Sequence, residues 1–211
     1  MIAVLDYGIG NLRSAEKALL HVGADARLVD NPESAVDASG VVLPGVGAFG
    51  ACARALRHTG LDEVVRLCVT DGRPFLGICV GLQLLFEGSE EDPQVPGLGI
   101  LQGSVRALGE TERRPQMQWN LVRQVAGRSS RLLGQAESGW YYFVHSFVPV
   151  PEGDEARRSV VGTCDYGGEM AVAFERNNMF GTQFHPEKSA SAGLQLLGRF
   201  ARICAEEPSG S

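Results

Sequence analysis

Basic residues are under-represented in this sequence. Lys and Arg total 19 against 25 Asp and Glu, a net charge of −6 and a pI near 5.3. Such a chain lacks the electrostatic footprint of a nucleic-acid binder, so no nucleic acid is expected as a partner. Long apolar runs are also missing. None approaches the roughly 20 residues that span a bilayer, and no membrane partner is expected. The opening residues, Met1 to Asp6, have no basic stretch followed by an extended apolar one, so no signal peptide is expected. Cysteine is sparse and unpaired: five residues at 52, 68, 79, 164 and 204, an odd count with no C-x-x-C. That spacing speaks against a disulfide framework or structural zinc and fits reduced thiols in the cytoplasm.

What is present is globular in character. Apolar residues make up 44% and charged residues 21%, which excludes disorder for the chain as a whole. At 211 residues the chain can bury a core of its own. Many of its 27 glycines fall just after short apolar runs, where tight strand-to-helix turns need them.

The first half alternates strand and helix signals. Ile2 to Leu5 is a short apolar run, followed by Asn11 as a helix cap and by Leu12, Ala15, Leu19 and Leu20 at helical spacing. Ala26 to Val29 and Val41 to Leu43 read as further strands. Helical stretches follow around 51–57 and 61–69. Phe75 to Ile78 is a fourth strand entering Cys79, and 82–87 reads as the helix after it. Such alternation indicates a parallel sheet covered on both faces. From Gly99 to Phe184 the pattern changes to short β-rich runs at 104–108, 119–125, 141–148, 159–163, 171–175 and 179–184. They read as a mixed or antiparallel extension of the same sheet. A last helix is expected over 191–204, with Leu194, Leu197 and Phe200 on one stripe. No repeat or linker interrupts the chain, so residues 1–205 are expected to form one domain and 206–211 a frayed tail.

The sharpest chemical signal is Gly77-Ile78-Cys79-Val80-Gly81, between a strand and a helix. It is the nucleophile-elbow pattern with Cys in place of Ser, where flanking side chains would clash. A helix N-terminus behind the cysteine would favour the thiolate. Taken alone, the pattern suits a buried cysteine in a glycine-rich turn equally well. The second signal is Gln183-Phe184-His185-Pro186-Glu187-Lys188-Ser189. A cysteine nucleophile needs a base, and the base needs an orienting acceptor; His185 and Glu187 offer both from one loop.

Other features are weaker. Gly45-x-Gly47-x-x-Gly50 matches a dinucleotide fingerprint in letters but follows the third strand. It reads equally as a loop presenting backbone N–H groups to an oxyanion. Gly8-x-Gly10 has Arg13 where the third glycine should stand, which leaves nicotinamide binding a minor alternative. No H-E-x-x-H or paired cysteine spacing supports a metal, and neither metal nor cofactor is expected. His21 and His58 sit in helical stretches as surface residues. Trp140 to Phe147 is an aromatic-rich strand, half of it core by alternation.

Together these motifs resemble class I glutamine amidotransferases of the triad type. Asp6-Tyr7-Gly8-Ile9-Gly10-Asn11-Leu12, Pro44-Gly45-Val46-Gly47-Ala48-Phe49, Trp119-Asn120, Tyr142 to Ser146 and Phe184 to Ser189 narrow the resemblance. They look like the glutaminase subunits of imidazole glycerol phosphate synthases, over about residues 2 to 200. The resemblance implies a flavodoxin-like α/β fold, with a mostly parallel central sheet and an antiparallel or mixed C-terminal extension. It implies a Cys79–His185–Glu187 triad and oxyanion donors from the backbone at Gly45, Val46 and Val80. L-Glutamine would be held by Gly47, Gln83, Glu91, His145, Ser146 and Phe147. Ammonia would pass to a (β/α)8 cyclase subunit, near Asn11, Trp119, Asn120, Tyr142 and Lys188. A chain of this length leaves no room for a synthase domain as well, so a separate partner and low activity alone are expected. The loop at Gly45–Gly47 is a candidate switch, through a peptide flip that supplies or withholds a donor.

One departure stands out. The family commonly reads P-H-M-G-W-N, and this chain reads Pro115-Gln116-Met117-Gln118-Trp119-Asn120. That change bears on how partner binding couples to the glutaminase site. Val80 and Leu82, where Leu and Met are usual, are mild apolar exchanges. Two rival readings are the glutaminase of another amidotransferase, such as pyridoxal phosphate synthase, and a non-catalytic flavodoxin-like module whose Cys79 is only a redox-sensitive thiol.

Overall fold

A computed structural model describes residues 1–109, 112–135 and 138–206. The strands are β1 (Ile2–Leu5), β2 (Ala26–Val29), β3 (Gly40–Gly45), β4 (Phe75–Cys79), β5 (Gly88–Ser89), β6 (Gly103–Ala107), β7 (Gln116–Gln124), β8 (Ser138–His145), β9 (Phe147–Pro151), β10 (Val160–Asp165), β11 (Glu169–Arg176) and β12 (Met179–Thr182). The helices are α1 (Leu12–His21), α2 (Phe49–His58), α3 (Leu61–Asp71), α4 (Val80–Gln83), α5 (Gly153–Arg158) and α6 (Ala190–Ala205). Nine strands form one sheet in the order β2-β1-β3-β4-β12-β11-β10-β7-β8. The first five are mutually parallel, and every later pairing is antiparallel.

The parallel strands are apolar on both faces, as strands covered on both sides require. β1, β3 and β4 are buried throughout. Helices α1 and α6 pack together, as do α2 and α3, over this half of the sheet. Phe49, Phe75, Phe86, Phe143, Phe174, Phe180, Phe184 and Phe200 are among the largest fully buried side chains. The parallel order ends with β4 and β12 side by side, so the chain leaving β12 emerges next to the end of β4. In open α/β sheets, ligands bind beyond the carboxyl ends of the strands.

Several local expectations need correction. Leu20 is 49% exposed; α1 buries Leu12, Ala15, Ala18 and Leu19, and Leu20 lies one step off that stripe. Asn11 sits at the N-cap of α1 but makes no side-chain cap bond. The helix expected over 82–87 is the single turn α4. Beyond it, the carbonyls of Leu84, Leu85 and Phe86 accept from N–H groups of residues 98–101, so they are not free to continue the helix. The run 141–148 is two strands. The chain leaves the large sheet after His145, and Phe147 pairs with Ala107 in a separate sheet ordered β5-β6-β9. The second half is therefore not one extension of the main sheet. Helix α5 escaped notice because it buries only Ala156 and carries no apolar period. The expected tail lies, beyond Glu206, outside the described residues.

Candidate active site

Cys79 is the last residue of β4, and α4 begins at the next residue. The turn between them leaves no room for side chains. A Cβ on Gly77 would sit 2.8 Å from the carbonyl oxygen of Gly81, and one on Gly81 would collide with the carbonyl oxygen of Leu43. Cys79 itself has φ 54° and ψ −110°. A non-glycine residue holds that conformation only where its surroundings enforce it. The elbow is thus present in backbone as well as in letters. With only one helical turn behind the thiol, the dipole expected to favour the thiolate is small.

β3 runs beside β4 and pairs Gly45 with Cys79. A Cβ on Gly45 would meet the backbone nitrogen of Gly81 at 2.8 Å and the Tyr7 hydroxyl at 2.9 Å. Tyr7 donates to the carbonyl of Pro44 at 2.8 Å and so props the end of β3. Burial pushes its phenol pKa well up, with Cys52 and Cys79 adding to the shift, so it stays a donor.

The chain leaving β12 brings His185 and Glu187 to the same place. Pro186 opens a 3-10 turn that turns the carboxylate back onto the ring. His185 Nδ1 lies 2.7 Å from Glu187 Oε1, and both side chains are buried. Burial alone would lower the imidazole pKa. Cys79 and Glu187 outweigh it, and His185 is pushed up to about 10. Its Nε2 makes no hydrogen bond of good geometry within the protein. The loop is clamped to β8 by a ring of contacts. His185 N–H donates to Tyr142 O at 3.0 Å, Tyr142 N–H to Ser189 Oγ at 2.9 Å, and Ser189 Oγ to His185 O at 2.6 Å.

A cavity of about 240 Å³ opens above Cys79, lined by Val46, Gly47, Val80, Gln83, Glu91, Pro115, Val144, His145, Ser146 and Phe147. All six residues expected to hold glutamine lie on its wall. Several are already engaged. Gln83 Nε2 donates to Phe147 O and to Gln183 Oε1, both at 3.0 Å. Glu91 Oε2 accepts from Phe49 N–H at 2.7 Å and ties the wall to the start of α2. His145 Nδ1 lies 2.8 Å from Phe147 O. Burial lowers the His145 pKa to about 4, with the Phe147 carbonyl opposing and the His185 charge assisting.

Gln183 was quoted in a motif without a role. It is fully buried, and its Nε2 donates to Cys79 Sγ at 3.5 Å. It lies two residues before His185, the one sign in the sequence that it faces the same site. Tyr7 gave no sign beyond its place in a motif. The residues expected at a partner surface are not all together. Trp119 and Tyr142 meet edge to face at 6.2 Å on the outer face of β7 and β8. Lys188 and Asn11 are exposed. Asn120 points to the opposite face, where its amide donates to Asp165 O at 2.9 Å. All five cysteines are buried free thiols.

Comparisons with known proteins agree with this geometry. A family model described as glutamine amidotransferase class-I matches residues 3–203. The imidazole glycerol phosphate synthase subunit HisH of Methanothermobacter thermautotrophicus is 45% identical over 203 residues, 96% of this chain and 98% of that protein. The chloroplastic imidazole glycerol phosphate synthase hisHF of Arabidopsis thaliana is 40% identical over 202 residues, 95% of this chain and 34% of that longer protein. A crystal structure of a glutamine amidotransferase superposes with a TM-score of 0.75 at 22% identity, covering 97% of this chain and 99% of the other. The chain therefore belongs to the class-I glutamine amidotransferases and, within them, to the HisH subunits of imidazole glycerol phosphate synthase.

Proposed function

We propose that this chain hydrolyses the side-chain amide of L-glutamine at Cys79 and passes the ammonia to a (β/α)8 cyclase subunit of imidazole glycerol phosphate synthase, in histidine biosynthesis. The observation that carries the proposal is Cys79 on the wall of a cavity large enough for an amino acid, with His185 beside it and Glu187 on the Nδ1 side of that ring. His185 takes the thiol proton, and Glu187 orients the ring and holds its charge. Sulfur attacks the amide carbon, and the oxyanion is met by backbone N–H groups at Gly45–Val46 and Val80. His185 returns its proton to the nitrogen, ammonia leaves, and water then cleaves the glutamyl thioester. Gly47, Gln83, Glu91 and the 145–147 backbone hold the substrate. Residues 1–205 act as one domain in this scheme.

The partner surface is the outer face of β7 and β8 around Trp119 and Tyr142, with Lys188 and Asn11. Two exposed Trp residues and Met117 on one sheet edge support a protein contact there. The Arabidopsis relative carries the matched region within a chain about three times as long, which supports a second unit working beside it. No described helix is long and apolar enough to cross a membrane, and the buried free thiols fit a reducing compartment. The cytoplasm is the proposed location.

The test is glutamate release by the purified chain, with and without the cyclase subunit and its ribonucleotide ligand. Strong stimulation only with both is the expected result. Activity with another synthase and not with this one would overturn the partner assignment.

A further inference from the structure

Among the described residues, buried side-chain nitrogens and oxygens without a hydrogen-bond partner come from four side chains: Gln116, His145, His185 and Glu187. His185 and Glu187 belong to the triad. The other two contribute three such atoms, both ends of the Gln116 amide and Nε2 of His145. The scheme above leaves these three atoms without a task.

They are neighbours by construction. β7 and β8 pair Gln116 with His145, and directly opposed residues project onto the same face of a sheet. That face is the inner one. Gln116 is 0% exposed and His145 6%, whereas the next residue, Met117, is 62% exposed. His145 lines the Cys79 cavity, and Gln116, its partner across the strands, lies beside it off the wall.

The donor and acceptor inventory defines what fits. A carbonyl only accepts, so the 2.8 Å contact with Phe147 O puts the His145 proton on Nδ1 and leaves Nε2 a bare acceptor. Gln116 offers two N–H donors and one carbonyl acceptor. A guest serving both must donate to Nε2 and accept from the amide. Both side chains are buried, which limits a guest to a small one. Burial keeps the imidazole neutral well below pH 7, so it neither repels a neutral guest nor protonates it. Unpaired buried amides are rare in folded proteins because desolvation is not repaid, and a guest removes that cost.

We propose that Gln116 and His145 form a holding site for one small neutral molecule that both donates and accepts hydrogen bonds, the chemistry shared by water and ammonia, next to the Cys79 cavity that His145 lines. The role of this site rests on the glutaminase reading. When sulfur bonds to the amide carbon, the carbon–nitrogen bond breaks and nitrogen leaves as ammonia with the proton from His185. When water oxygen bonds to that carbon, the carbon–sulfur bond breaks and the water proton returns through His185 to sulfur. Ammonia must leave the cavity and water must enter it, and His145 stands on its wall.

The first test is a high-resolution crystal structure of the full chain. Density within hydrogen-bond distance of the Gln116 amide and of His145 Nε2 is expected; its absence overturns the site. The second test partitions the thioester. With labelled ammonium present, label returning to glutamine is measured against glutamate formed. With hydroxylamine present, hydroxamate is measured against glutamate. Gln116→Met is expected to change one ratio by about threefold or more, the scale of a lost polar contact to a reacting species. A fall in label return identifies ammonia as the guest, and a rise in hydroxamate identifies water. Gln116→His, which restores a donor and an acceptor, is expected to return the ratio towards the unmodified chain. Density with neither ratio changed would overturn the role in the reaction. A wild-type chain that forms no glutamate with any partner would overturn the glutaminase reading instead, and the density test would still decide the site.

Discussion

At the scale of single residues, the site combines strain with two histidines of opposite character. Cys79 holds a backbone conformation that costs ~1–3 kcal/mol for a non-glycine residue, and the packed elbow maintains it. Cys79→Ala removes the nucleophile, and glutamate release should fall by ~10⁴-fold or more, measured with the partner present. Glu187→Gln keeps the shape and removes the charge. The His185 pKa should then fall from about 10 towards its ordinary range, read by NMR titration, and kcat should drop by ~10²–10⁴-fold. His145 carries the opposite sign. Its folded pKa of about 4 lies below the ordinary 6.5, so its contribution to stability is fully present above pH 6.5 and is lost as pH falls through 4. The contribution is on the order of 3 kcal/mol. His145→Asn should flatten that acid limb in denaturant unfolding; an unchanged slope would contradict it. His185, with its pKa raised, stabilises fully below pH 6.5 and loses that contribution as pH rises through 10. Cys79, His185 and Glu187 were legible because a nucleophile, its base and an orienting group occur in short motifs. Gln183 was not, since its contact with Cys79 joins residues 104 apart in the chain.

At the scale of elements, the glycines around the elbow set its tolerance. Gly81→Ala drives a side-chain methyl group into the Leu43 backbone carbonyl, which has no flexible end to move aside. It should destabilise the chain by more than about 2 kcal/mol in urea unfolding. Gly8→Ala has φ +82° but open space around the added carbon. It should cost only about 1 kcal/mol, the price of the left-handed conformation alone. Equal losses at the two positions would contradict this account of the elbow. The first four strands were legible because each is a short apolar run bounded on one side by glycine, proline or aspartate. The errors share a cause. The single turn α4 ends where residues 98–101 capture the carbonyls of the residues after it, Leu84 to Phe86, and β8 gives way to β9 where Leu108 and Ala107 draw the chain into a second sheet. Both are long-range hydrogen-bond choices that no local period records.

At the scale of the whole molecule, the proposed partner face and the His185 loop are joined through one strand, β8. Tyr142 shows its ring beside Trp119 on the outer face while its backbone holds the His185 loop through Ser189. A partner pressing on β8 therefore acts on an element bonded to the His185 loop. Trp119→Ala should weaken cyclase binding by ~10–100-fold in calorimetry, the size of an interface anchor. Stability of the chain alone should stay within ~0.5 kcal/mol. The sheet order beyond β4 and the inward turn of Asn120 were not legible, because both depend on which strands meet after the chain leaves the parallel half. The most direct measurement is covalent labelling by a diazoketone analogue of glutamine in the presence of the cyclase subunit, with the modified residue mapped by mass spectrometry. Label on Cys79 alone among the five cysteines, with loss of glutamate release in step with labelling, is the expected result. Label on another cysteine, or full glutamate release from a chain fully labelled at Cys79, would contradict the assignment of Cys79 as the nucleophile.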